Sequence, residues 1–139
     1  MDAMTLLRRS GWSPGRLVDV SEEVAFVISD GYAVTPAAED FLRQYSGLEI
    51  SGESSANPLV LSGRVAARGV DPGWCDAYAR ALGVVLSPVG QYSNMTVYID
   101  QSGELWGGFD EDYGRIGSLL DLIHETFIGP PKPFDRQLD

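Results

Sequence analysis

The chain has 139 residues, 44% hydrophobic and 22% charged, which suffices for one domain with its own core and argues against a disordered chain or a fibrous repeat. No stretch approaches the roughly 18 consecutive apolar residues of a membrane-spanning helix. Twenty acidic residues against ten basic ones give a formal net charge of -10, which argues against binding to nucleic acid or an anionic membrane and favours a basic partner.

The first half of the chain is predicted to contain three helices and two short strands. Residues 4–9 form a short helix, and residues 20–30 form a second one. A third helix begins at Pro36, because apolar side chains follow at helical spacing. Strands at 48–50 and 59–61 flank the polar stretch SGESSANP, which is typical of a hairpin loop. An arginine-containing loop is predicted next, over residues 62–70.

The second half begins with a helix that starts at Pro72 and ends at Gly83. Three strands are predicted after it, at residues 84–89, 95–99 and 104–106. The first is a continuous apolar run, the second alternates apolar and polar residues, and the third ends at a pair of glycines. This order indicates hairpins rather than βαβ units.

The last predicted helix begins near Gly114 and ends at Gly129. Residues 130–139 are expected to form a flexible tail, which leaves one domain over residues 1–129. The order of elements, without an internal repeat, predicts an α+β fold in which helices pack on a mainly antiparallel sheet.

Residue types that catalyse reactions or hold metals show no recognisable pattern. Cys75 is the only cysteine, so one chain can form neither a disulfide nor a thiolate zinc site, and a reducing compartment is favoured. His124 is the only histidine, and no spacing pairs it with the thiol as a catalytic base. The glycines fit neither phosphate-loop nor dinucleotide fingerprints. We expect no enzymatic activity, no cofactor and no metal, in a soluble cytoplasmic protein.

The excess of acid is concentrated in the second half, which has four basic and eleven acidic residues after residue 70. Its sharpest cluster, with the aromatic residues that flank it, consists of Trp106, Asp110, Glu111, Asp112 and Tyr113. One interpretation is that the acids precede the last helix and interact with its N-terminal dipole. The other is a partner-binding patch, in which carboxylates accept bonds from arginine and the aromatic rings supply anchors.

Five stretches of the chain combine a turn with apolar residues. They are GWSPGRLVD at 11–19, FLRQYSGL at 41–48, LGVVLSPVG at 82–90, VYIDQSGELWG at 97–107 and IGSLLDLI at 116–123. In this order and spacing the chain resembles the SUKH-3 type of the SUKH superfamily, over about residues 6–128. One departure is Ser46, where many members have a second glycine, but Gly47 is retained.

The resemblance implies an α+β domain that acts as an immunity protein in a bacterial polymorphic-toxin system. Such a protein binds and neutralises a cognate toxin domain, often a nuclease or a nucleic-acid deaminase. The resemblance transfers no catalytic residue, because its motifs fall mainly on structural positions. An acidic inhibitor suits a toxin whose surface is basic. Two alternatives stay open: a regulatory or scaffolding protein-binding module of the same superfamily, and an unrecognised small hydrolase.

Overall fold

The computed structural model describes residues 1–53 and 57–139, and this part of the chain contains six helices and seven strands. The helices are α1 (Ala3–Arg9), α2 (Ser21–Ser29), α3 (Pro36–Tyr45), α4 (Gly63–Arg68), α5 (Pro72–Leu82) and α6 (Leu119–Phe127). The strands are β1 (Glu49–Ile50), β2 (Leu59–Leu61), β3 (Leu86–Tyr92), β4 (Met95–Asp100), β5 (Leu105–Phe109), β6 (Asp112–Gly117) and β7 (Arg136–Gln137). None of these helices is long and apolar enough to cross a bilayer.

All seven strands form one antiparallel sheet, in chain order from β1 to β7. Each of the strands β2 to β6 therefore pairs with the strand before it and the strand after it, while β1 and β7 form the two edges of the sheet. With helices packed against this sheet, the predicted α+β fold is confirmed. The predicted loop between β1 and β2 includes residues 54–56, which lie outside the described residues.

The sheet carries an apolar core on each face. Because side chains alternate along a strand, Val97 and Ile99 of β4 point to one face and Tyr98 to the other. The first face packs against α1, α3 and α6, with Leu42 and Leu122 among the buried side chains. The second face is covered by α5, with contributions from α2 and α4, and is rich in aromatic side chains.

Local hydrogen bonds and backbone conformation fix the ends of helices α3 and α5. Thr35 caps α3, since its hydroxyl accepts the N–H of Ala38 at 3.2 Å. Asp71 caps α5, since its Oδ1 accepts the N–H of Gly73 at 2.7 Å. Gly83 ends α5 with a φ of 70°, a left-handed conformation that glycine adopts readily.

Helix α4 occupies residues predicted to form a loop, so that prediction is wrong. Ser62 caps the helix by accepting the N–H of Val65 at 3.1 Å, and Glu23 Oε2 accepts the N–H of Gly63 at 2.6 Å. A helix of six residues is too short to be stable in isolation. Helix α4 is stabilised in part by a carboxylate from α2. Short-range sequence patterns do not reveal this contact, because its two partners are far apart in the chain.

The segment after residue 104 differs most from the prediction. Strand β5 runs through Gly107 and Gly108 instead of ending before them, β6 lies where no strand is predicted, and α6 begins at Leu119 rather than near Gly114. A Cβ atom on Gly107 would lie 2.7 Å from a neighbouring side chain, and one on Gly108 would lie 2.6 Å from the ring of Tyr78. These glycines therefore mark close packing within a strand rather than a turn.

The C-terminal segment is joined to the sheet. Strand β7 lies within residues 130–139 and pairs with β6 at Asp112 and Tyr113. The N–H of Leu138 donates to the carbonyl of Glu111 at 2.8 Å, and the Leu138 side chain packs on the aromatic core. The domain boundary at residue 129 and the mobility of the tail stay predictions.

Candidate partner-binding cleft

The cluster Asp110, Glu111 and Asp112, which we call the acidic turn, lies where β5 turns into β6. Phe109 pairs with Asp112 across the hairpin, so Asp110 and Glu111 form a two-residue connection. Asp110 has a φ of 51°, in the left-handed region that aspartate and asparagine tolerate better than most residues. Since α6 begins at Leu119, the interpretation of these acids as charges at the start of that helix is wrong.

The carboxylates of the acidic turn carry negative charge without a cationic partner. Asp110 and Glu111 are exposed, Asp112 is half-buried, and none of the three forms an ion pair within residues 1–53 and 57–139. The polar contact of the Asp112 carboxylate is with the amide of Gln137, whose Nε2 donates to Oδ1 at 3.3 Å. The turn is therefore available to an external cation.

The acidic turn is held in place by Tyr78 of α5. The Tyr78 hydroxyl donates a hydrogen bond to the carbonyl oxygen of Asp110. Burial, and then the negative charges of Asp110 and Asp112, raise the pKa of Tyr78 to about 12, so the phenol stays a donor at neutral pH. One bond thus ties the hairpin to the helix beside it.

Trp106 and Tyr113, the two aromatic residues expected to be anchors, are buried beneath this surface. Trp106 is 9% exposed and donates its indole N–H to Asp100 Oδ2 at 3.0 Å. Tyr113 is 6% exposed, and its ring centroid lies 5.1 Å from that of Tyr78. Both rings therefore stabilise the second face of the sheet and present little area to a partner. Contact of any of the five residues with a partner stays a prediction.

A surface cleft with a volume of about 510 Å³ opens beside the acidic turn. One wall is the end of α4, with Val65 and Arg68, and a second is the face of α5 that carries Trp74. The turn between β3 and β4 and the end of β5 close the other sides, with Phe109 and Asp110 on the rim. The structure thus brings four separate segments of the chain together around one opening.

Aromatic side chains give the cleft flat apolar surfaces. Trp74 is half-buried and stacks on Tyr78, with ring centroids 6.3 Å apart. Tyr78 can lie against β5 only because Gly108 has no side chain. Phe109 is 43% exposed, an unusual position for a phenylalanine.

The side chain of Gln91 lines the cleft and is held in place by hydrogen bonds at both ends of its amide. The hydroxyl of Thr96 donates to Gln91 Oε1 at 2.8 Å, and Gln91 Nε2 donates to the carbonyl of Ser93 at 2.9 Å. Both ends of the amide are satisfied, so it need not rearrange when a partner arrives. On the α4 side, the guanidinium of Arg68 lies 5.3 Å from the ring centroid of Phe26.

Metal binding and thiol chemistry depend on where the described residues place potential metal ligands and the cysteine thiol. These residues contain no group of three or more histidine, cysteine, aspartate or glutamate side chains placed to hold a metal ion. Cys75 is buried with its thiol 3.7 Å from the carbonyl oxygen of Leu86. Burial, and then the charge of Asp76, raise the pKa of Cys75 to about 12, which keeps the thiol protonated at neutral pH.

Sequence reasoning located the acidic turn but missed the cleft. Arg68, Trp74 and Gln91 meet there only because α4, α5 and β3 pack together, and no local pattern connects them.

Comparison with protein families gives one match. A family model described as SUKH-3 immunity protein matches residues 2–127 of the 139-residue chain. Searches of curated proteins and of solved structures found no significant match. The matched segment includes α1 to α6 and β1 to β6, and so every element that surrounds the cleft. The chain therefore belongs to the SUKH-3 immunity protein family.

Proposed function

We propose that this chain neutralises a cognate toxin domain by forming a stoichiometric complex with it, through the surface around the acidic turn. Membership of the SUKH-3 immunity protein family supports an immunity role and implies a toxin partner. We choose this surface because the carboxylates of the acidic turn have no ion-pair partner within the described residues.

The toxin in this proposal has a basic surface. Carboxylates on an exposed hairpin can accept charge-assisted hydrogen bonds from lysine or arginine, and these are stronger than neutral ones. A nuclease or a nucleic-acid deaminase needs positive charge to hold phosphates, so an acidic protein that covers this charge competes directly with substrate. Inhibition then requires only a complementary surface.

The direct test is a titration of this chain against its cognate toxin domain, which we expect the adjacent gene to encode. We expect toxin activity to fall linearly with added protein and to vanish at a fixed molar ratio, because each bound molecule blocks one toxin. A complex of matching stoichiometry should appear in size-exclusion chromatography with light scattering. Loss of activity at strongly substoichiometric amounts would instead indicate catalysis and would overturn the proposal.

A further inference from the structure

We propose that the cleft receives an arginine side chain from a protruding loop of the toxin. This inference rests on the proposed function and adds the site and the residue type. Its first support is size: a cleft of about 510 Å³ lies within the roughly 300–1,000 Å³ that protein pockets use for ligands. A side chain with its flanking backbone fits such a space, whereas a flat interface needs no depression at all.

Charge on one side of the cleft favours a cation. Asp110 lines the rim there, with Glu111 and Asp112 following it in the acidic turn, whereas Arg68 lines the α4 wall. Arg68 and its neighbour Arg64 both lie over the ring of Phe26, with guanidinium carbons 5.3 Å and 4.4 Å from the ring centroid. The Asp110 side of the cleft therefore attracts a cation.

Aromatic surface favours arginine over lysine. A guanidinium is planar, stacks on aromatic rings and can bind a carboxylate through two parallel hydrogen bonds, whereas an ammonium is a more strongly hydrated point charge. Trp74 is half-buried and stacked on Tyr78, so its ring is already fixed before a partner arrives. Phe109 offers a second, exposed ring on the same rim as Asp110. Little rotamer freedom is lost when the Trp74 ring engages a guanidinium.

The first experiment places a long cationic side chain in the cleft at an exposed position, where a substitution disturbs the fold least. Asn94 lines the cleft from the exposed turn between β3 and β4, so Asn94→Arg adds a long cation there without changing a buried contact. We expect this variant to raise the Kd for the toxin domain of the adjacent gene by about tenfold or more. Ala81→Arg is the matched control, because it adds the same charge at an exposed position of α5 outside the cleft. Its Kd should stay within about twofold of the original value.

The second experiment identifies the partner residue. Asp110→Asn keeps the left-handed turn, since asparagine tolerates a φ of 51°, and removes only the charge. Each surface arginine of the toxin domain is then changed to lysine, and binding is measured with both forms of this chain. We expect one such substitution to weaken binding to the original chain about fivefold or more and to have almost no further effect on binding to Asp110→Asn, as coupled partners do.

The outcomes separate the two proposals. If the original chain neutralises the toxin while Asn94→Arg binds as tightly as Ala81→Arg, the cleft is not the contact site and the immunity role stands. Absence of any toxin arginine coupled to Asp110 overturns the arginine assignment in the same way. If the original chain neither binds nor neutralises the toxin, the proposed function itself fails, and the cleft proposal fails with it.

Discussion

Asp100 shows how one buried carboxylate organises the turn between β4 and β5. It is 4% exposed, and its Oδ1 accepts the N–H of Ser102 at 2.9 Å and that of Glu104 at 3.0 Å. Its Oδ2 accepts the indole N–H of Trp106. Burial alone would raise the pKa of Asp100, but hydrogen bonds from Ser102, Trp106 and Glu104 outweigh it and hold the pKa below its ordinary value. The folded protein therefore stabilises the ionised form of Asp100.

This arrangement predicts a pH dependence of stability with a definite sign. Because the folded-state pKa of Asp100 is depressed, its contribution is present above the unfolded value of about 3.9 and is lost as the pH falls through the folded value. Asp100→Asn should lower the free energy of unfolding at pH 7 by about 1.5–3 kcal/mol, since an amide N–H then faces the indole N–H of Trp106. Denaturant unfolding at pH 7 and pH 3 measures both effects.

The control for Asp100 is Asp76→Asn, which removes an exposed carboxyl from α5. We expect the difference in stability between the original chain and Asp100→Asn to shrink from pH 7 to pH 3. The difference between the original chain and Asp76→Asn should stay small at both values. If Asp100→Asn were as stable as the original chain at pH 7, the buried carboxylate would not be organising the turn.

At the scale of elements, the carboxylate of Glu23 in α2 supports the start of α4. The carboxylate of Glu23 accepts the N–H of Gly63 at 2.6 Å and the hydroxyl of Ser62 at 3.4 Å, and it also accepts the hydroxyl of Ser46 after α3. It thereby joins α2, α3 and α4 at one point. Because α4 forms a wall of the cleft through Val65, this contact also positions the candidate site.

Glu23→Gln should loosen α4 more than its small chemical change suggests. We expect a loss of about 1–3 kcal/mol in the free energy of unfolding, because hydrogen bonds to a charged acceptor become neutral ones. Hydrogen exchange should accelerate over residues 63–68, while α6, with its own capping box at Ser118 and Asp121, keeps its protection. Glu22→Gln is the matched control, since it removes the same charge from an exposed neighbour on α2. Equal exchange in the two variants would contradict this role of Glu23.

The elements that the sequence could predict are those with local determinants. Helix α3 has Thr35 as its cap and Pro36 at its first position, and β4 alternates visibly, so both were within reach of short-range reasoning. Helix α4 was not, because Glu23 lies 40 residues from Gly63. The sequence predicts the start of β5 but neither its end nor β6, because their glycines make room for side chains from elsewhere in the fold, and Tyr78 against Gly108 is the clearest case.

The candidate site follows the same logic. The acidic turn is contiguous, so its charge was evident from the sequence. Its place in a hairpin depends on the pairing of Phe109 with Asp112, which the missed strand β6 concealed. The residues that line the cleft are spread between Val65 and Asp110 in the sequence. They come together only when α4, α5 and the sheet pack, so short-range patterns do not predict the cleft.

At the scale of the whole molecule, the distribution of charge decides whether electrostatics can guide a partner. The chain exposes 7150 Å² and carries a formal net charge of -10. Spread evenly, this leaves about one excess charge on a typical footprint of about 800 Å². The acidic turn places three carboxylates within three consecutive residues, which is several times that density. A footprint that includes it should therefore steer a basic partner, and one that excludes it should not.

Steering is measured by the association rate constant and its dependence on salt. The triple variant Asp110→Asn, Glu111→Gln and Asp112→Asn removes the local charge while keeping side-chain size and a left-handed residue at the turn. We expect its association rate with the toxin domain to fall about tenfold at low ionic strength and to vary less with salt, because electrostatic attraction accelerates encounter. Above about 0.5 M salt the two rates should converge, since the screening length is then only a few ångströms.

The control triple variant distinguishes local charge from net charge. Glu22→Gln, Glu49→Gln and Asp76→Asn remove the same three charges from exposed positions that form no ion pair within the described residues. If only net charge mattered, both variants would slow association equally, because their formal charges are the same. If the acidic turn lies in the footprint, the control should keep most of the original rate and salt slope. Stopped-flow kinetics over an ionic-strength series decides between these results, and equal behaviour of the two variants would remove the acidic turn from the interface.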